Sequence, residues 1–182
     1  MDKLKNSSLK KMYVISFFTG IAIGFMPKPL NFILIIPTVV VFVAAETDLL
    51  MQQIYSITCI AGLLIGIILI CSINCDIFYY LKHLIFFAIL LFILKVVKAL
   101  NVGDIELIVS LTPYYYLISL FQERPTFMEL FLFYIAGSSF LALIINSRKY
   151  YKEKIKSFPF AVPACYCYSI YFLGLSVFSM FN

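Results

Sequence analysis

An all-helical bundle embedded in a membrane is the fold class this sequence predicts, and three observations carry that expectation. The chain of 182 residues is 63% hydrophobic and only 13% charged, which is too apolar for a water-soluble domain of that length. Apolar segments succeed one another almost from end to end, so no stretch remains that could fold separately in water. Short polar clusters punctuate those segments, as transmembrane helices joined by tight loops require. The expectation is one domain over residues 1–182, a polytopic bundle of about seven transmembrane helices with the lipid bilayer as its solvent.

A hydrocarbon core of roughly 30 Å takes about 20 helical residues to cross, fewer where flanking side chains snorkel or the bilayer thins. The first segment, 12–26, follows Lys3, Lys5, Lys10 and Lys11. It copies the basic and apolar regions of a secretory signal, but Pro27-Lys28-Pro29 leads straight into further apolar sequence without a small-residue cleavage site, so a retained helix is expected. The second, 30–46, ends where polarity returns at Thr47 to Gln53. The third, 54–73, stops at Cys71 to Asp76, and the fourth, 77–97, carries Lys82 and His83 near its start. Lys98 to Gly103 precedes the fifth, 104–122, in which Tyr114, Tyr115 and Tyr116 follow Pro113 and are expected to pack as aromatics. Gln122 to Thr126 separates the fifth from the sixth, 127–146, and the longest polar stretch, Ser147 to Ser157, precedes the seventh, 160–181.

The net charge of +5 raises nucleic acid as a partner, yet the basic residues fall in clusters between apolar segments and form no nucleic-acid motif, so none is expected. They read instead as topology. With the N-terminus in the cytoplasm, Lys3, Lys5, Lys10, Lys11, Lys95, Lys98, Arg148, Lys149, Lys152, Lys154 and Lys156 lie inside, against Lys28, Lys82 and Arg124 outside, eleven to three. That bias predicts seven spans in the plasma membrane, N-terminus in and C-terminus out. The basic and aromatic loop from Lys149 to Lys156 is then placed to rest on anionic lipid.

Five cysteines, Cys59, Cys71, Cys75, Cys165 and Cys167, show no paired knuckle spacing, and His83 is the lone histidine. A zinc site is therefore not expected. Cys71 and Cys75, four apart, would share a helical face as ordinary packing thiols.

Carboxylates at the edge of apolar helices are costly and tend to be functional where they persist. Asp48, in Ala44-Ala45-Glu46-Thr47-Asp48-Leu49, and Asp104, in Asn101-Val102-Gly103-Asp104-Ile105, both fall on the cytoplasmic side of the topology drawn from the basic residues alone. Two carboxyls on one side can share a proton, the ionised one activating a water and the other hydrogen-bonding a substrate carbonyl. Asp48 at a helix C-terminus and Asp104 at a helix N-terminus suggest that Asp104 ionises first. Glu46 and Glu106 each stand two positions from an aspartate, about 200° round an ideal helix, and are expected off the shared face. With Asp48, Glu46 would instead make the mouth acidic, attractive to a basic peptide.

Three segments resemble a family in its own order. Thr47-Asp48-Leu49-Leu50-Met51-Gln52-Gln53-Ile54 is similar to the Asp-Leu, polar turn and Ile-Pro of type IV prepilin peptidases. Val102-Gly103-Asp104-Ile105-Glu106-Leu107 resembles their Gly-x-Gly-Asp-x-Lys-Leu motif, and Phe158-Pro159-Phe160-Ala161-Val162-Pro163 resembles their Pro-Phe-x-x-Pro segment. The resemblance spans about residues 30–181. It departs at Asn101 for the first glycine, Glu106 for the lysine and Tyr55 for the proline; Asn101 would preserve the turn, since asparagine tolerates left-handed backbone. Short chains of this kind resemble the peptidase-only members, preflagellin enzymes included, with no methyl donor.

What the resemblance implies is an intramembrane aspartic endopeptidase that removes the short basic leader of a prepilin-like substrate at the cytoplasmic face. Asp48 and Asp104 would be catalytic. Gly103, Pro159, Phe160 and Pro163 would position the substrate, and no metal or organic cofactor is called for. Two other classes stay open: a transporter or assembly factor whose acids bind cations or protons, and a membrane cysteine peptidase.

Overall fold

A computed structural model describes residues 2–26, 28–73, 75–97, 100–121, 126–153 and 160–181, with side chains for all of these except 2–8, 146–153 and 175–181. The described residues form seven helices: α1 (Asp2–Gly24), α2 (Leu30–Met51), α3 (Ser56–Ser72), α4 (Ile77–Val96), α5 (Val102–Phe121), α6 (Phe127–Glu153) and α7 (Ala161–Phe181). An all-helical bundle is thus what this sequence forms. Three of the helices, Leu30–Met51, Ile77–Val96 and Phe127–Ile145, are long and apolar enough to cross a membrane, and Ser56–Ser72 and Ala161–Gly174 are shorter apolar helices.

Local chemistry sets several of the boundaries. Asp76 caps α4 by accepting from the Phe78 and Tyr79 amides at 2.9 and 3.0 Å. Thr126 and Glu129 form a reciprocal capping box at the start of α6, with the Thr126 amide donating to Glu129 Oε2 at 2.7 Å and the Glu129 amide to Thr126 Oγ1 at 3.3 Å. At the end of α2, Gln52 turns the chain in left-handed conformation, φ 56° and ψ 32°.

α5 is the central helix. Twelve of its 20 residues are buried, and it packs on α2, α3, α4 and α6. That enclosure explains how α5 tolerates Ser110, Thr112 and three tyrosines: they meet protein rather than lipid. Tyr114 donates to the Gly62 carbonyl of α3 at 2.6 Å, Tyr116 to the Asp76 carbonyl at 2.9 Å, and Tyr80 of α4 pairs with Thr112 at 2.9 Å. A second group, α1, α2 and α7, packs together, with α6 against both α5 and α7. α4 is peripheral, burying only Tyr80, Phe87 and Leu91.

Gly62 and Gly66, one turn apart on α3, let that helix approach its neighbours. A Cβ at Gly62 would stand 2.7 Å from Val40 of α2, and one at Gly66 would run into the ring of Pro113 on α5. Small residues at such spacing are how apolar helices gain close packing without water to drive them together.

Three expectations change. α2 continues to Met51 rather than ending at 46, so Asp48 sits inside its last turns. α1 starts at Asp2 and α6 reaches Glu153, so both extend into segments expected as polar flanks. α3 ends at Ser72, so Cys71 and Cys75 do not share a helical face; the Cys75 amide instead closes a turn on the Ile70 carbonyl at 3.2 Å. All five cysteines are free thiols, with Cys59, Cys165 and Cys167 buried. The Lys149 to Lys156 cluster lies outside the described side chains.

Candidate functional site

One cavity of about 350 Å³ opens where the end of α2, the Gln52 to Tyr55 connection, the start of α3 and the start of α5 come together. Asp48 and Asp104 both line it. The left-handed turn at Gln52, whose amide bonds the Asp48 carbonyl at 2.9 Å, reverses the chain so that Gln52, Gln53, Ile54 and Ser56 supply one side. Asn101, Val102, Gly103 and Glu106 supply the other, along with Asp104.

Each aspartate is held by one oxygen at a helix N-terminus. Asp104 Oδ2 accepts from the Asn101 amide at 2.9 Å, the backward half of a capping box at the start of its own helix. Asp48 Oδ2 accepts from the Ala161 amide at 2.9 Å, so α7 is capped by a side chain from α2. Both residues are only 7% exposed. Neither has a further hydrogen bond among the described residues, so the Oδ1 atoms are the oxygens free for chemistry.

This geometry narrows the difference between the two acids without removing it. Asp48 lies in the last turn of α2 but also faces the positive end of α7, which offsets the negative end of its own helix, whereas Asp104 faces only the positive end of α5.

Gly103 lines the cavity where α5 meets the α2–α3 connection, and a Cβ there would come 3.3 Å from Ile54 Cβ. Phe160 and Pro163 are buried at the start of α7 and are not among the cavity's lining residues; Pro159 lies outside the described residues. The Ala161 amide at the start of α7 is committed to Asp48. Asn101 does not take left-handed backbone; among non-glycine described residues Gln52 alone does.

Glu106 lines the cavity despite its expected place off the aspartates' face. The cavity lies at the end of α5, where side chains from several faces reach one space. Its Oε2 is buried and has no hydrogen-bond partner among the described residues. Glu46, by contrast, is taken by the Tyr13 hydroxyl of α1 at 2.6 Å and does not line the cavity. Sequence reasoning passed over Gln52, Gln53 and Ser56, although polar residues directly after an apolar helix were the available signal.

Among the described residues no group of three His, Cys, Asp or Glu side chains comes together as a metal-ligand set. The arrangement offers two shielded carboxyls with free oxygens, neutral carboxamides and room for more than a water, a volume within the range of small-ligand sites. Compared with known proteins, the chain matches no family model, no curated protein sequence and no solved structure.

Proposed function

We propose that this protein is a multi-pass aspartic endopeptidase resembling type IV prepilin peptidases, cutting a prepilin-like precursor at the cytoplasmic face of the plasma membrane. The observation that carries this reading is that Asp48 and Asp104, distant in sequence and both shielded, line the same cavity with one oxygen each uncommitted. In the reaction, one carboxylate removes a proton from a water whose oxygen attacks the scissile carbonyl carbon. The protonated partner donates a hydrogen bond to the carbonyl oxygen, and the abstracted proton passes to the leaving nitrogen as the C–N bond breaks. Fixing each aspartate by a backbone amide keeps its free oxygen aimed without a flexible partner.

The test is cleavage of a co-expressed prepilin-like precursor. Asp48→Asn and Asp104→Asn should each lower the rate by about a thousandfold or more at unchanged protein level, as loss of either member of a catalytic unit does. The rate should also fall on both sides of a pH optimum, because one carboxyl must be ionised while the other is protonated. Full cleavage by either Asn variant ends the proposal. A second reading, cation or proton binding by a non-catalytic membrane protein, draws on the acidic lining of the cavity, and it predicts no cleavage by the wild type.

A further inference from the structure

We infer that Glu106 is the specificity carboxylate of this cavity, pairing with a lysine or arginine side chain of the bound peptide. The inference rests on the proteolytic reading for what the cation is attached to. Three carboxyls, Asp48, Asp104 and Glu106, line the cavity, and no basic residue does among the described residues. Two aspartates that share a proton still leave one negative charge, and Glu106 adds another. Confined charge of one sign is costly in a shielded site unless a counter-charge enters.

The structure says which carboxyl lacks compensation: Glu106 lines the cavity, and its Oε2, turned away from water, accepts no hydrogen bond among the described residues. Asp48 and Asp104 each already receive a backbone amide, whereas Glu106 Oε2 is buried and receives nothing. A buried carboxylate oxygen without a donor carries the full cost of leaving water. Gln52, Gln53 and Ser56 line the same space yet none donates to it. Glu46, the other acid near Asp48, is occupied by Tyr13. A bare metal ion suits the site poorly, because no three ligating side chains converge among the described residues and the volume far exceeds one ion. A peptide suits it: an ammonium or guanidinium for Glu106, and main-chain amides for the carboxamides of Gln52 and Gln53.

The experiment uses the full chain, purified in detergent. The probes are synthetic apolar-helix peptides whose leader carries lysine beside the candidate bond, or glutamine or glutamate in its place. Wild type should prefer the lysine peptide. Glu106→Gln should raise its KM by roughly tenfold or more, with kcat little changed, and should no longer distinguish lysine from glutamine. Glu106→Asp, which keeps the charge, should keep the preference, and Glu106→Lys should move it to the glutamate peptide. A Glu106→Gln variant that selects lysine as wild type does overturns the inference. If wild type cuts none of the peptides, the proteolytic reading fails by itself, and equilibrium binding of the same labelled peptides then reads Glu106. A lysine preference lost in Glu106→Gln sustains the cation subsite, and equal binding in both proteins overturns it.

Discussion

At the scale of single residues, Asp48 carries two duties that can be separated. Its Oδ2 closes the start of α7, while its Oδ1 takes no hydrogen bond among the described residues and the residue lines the cavity. Asparagine keeps a carbonyl oxygen for the Ala161 amide, so Asp48→Asn should retain wild-type thermal stability while losing cleavage. Asp48→Ala leaves that buried amide without an acceptor and should cost about 1–3 kcal/mol, read as a lowered unfolding midpoint in detergent. Equal stability of the two variants would show that the cap contributes nothing. Gln52 holds left-handed backbone that glycine adopts without steric penalty. Gln52→Gly should therefore raise stability by about 1 kcal/mol in the same assay. Asp48 and Asp104 were legible in the sequence because charge stands out in an apolar chain. Glu106 and the committed Ala161 amide were not, since a helical wheel describes a helix's sides and the cavity lies at its end.

At the scale of helices, the close approach of α3 to α5 depends on Gly66. A methyl group there meets the Pro113 ring, which is rigid and cannot yield as a long side chain would. Gly66→Ala should destabilise by about 1–3 kcal/mol, with the cavity disturbed because α3 and α5 both form its wall. The contrast is Gly20 of α1, where an added Cβ meets nothing within 4 Å. Gly20→Ala should be stabilising by up to about 1 kcal/mol through helix propensity alone. Melting curves of the two variants that shift together would show that packing at Gly66 is not what matters. Helix positions were readable from runs of apolar residues between polar breaks, and all seven fall near their expected places. Their ends were less so. α2 outlasts its apolar run by a turn because Asp48 is not solvated there but bonded to α7.

At the scale of the whole molecule, three helices long and apolar enough to span a bilayer are arranged around a less apolar α5. Other helices cover the polar side chains of α5, so α5 keeps its place at the centre without being among the three most apolar long helices, while α3 and the described apolar part of α7 fall short of those three in length. The proposed topology puts the N-terminus in the cytoplasm and the C-terminus outside, with the cavity at the inner face. Reporter fusions that are active only on one side of the membrane should place residue 1 inside and residue 182 outside. A C-terminal reporter active in the cytoplasm would refute that orientation. Composition and the spacing of polar breaks determined by themselves an all-helical bundle with membrane-spanning character and singled out two aspartates, because both are local statements about which side chains lipid can accept. Tertiary structure alone decided that α7 is capped from α2, that Glu106 joins the cavity while Glu46 leaves it for Tyr13, and that Gly66 seats α3 on Pro113. Those outcomes depend on which helix ends meet in space, and a linear pattern of hydrophobicity carries no information about that.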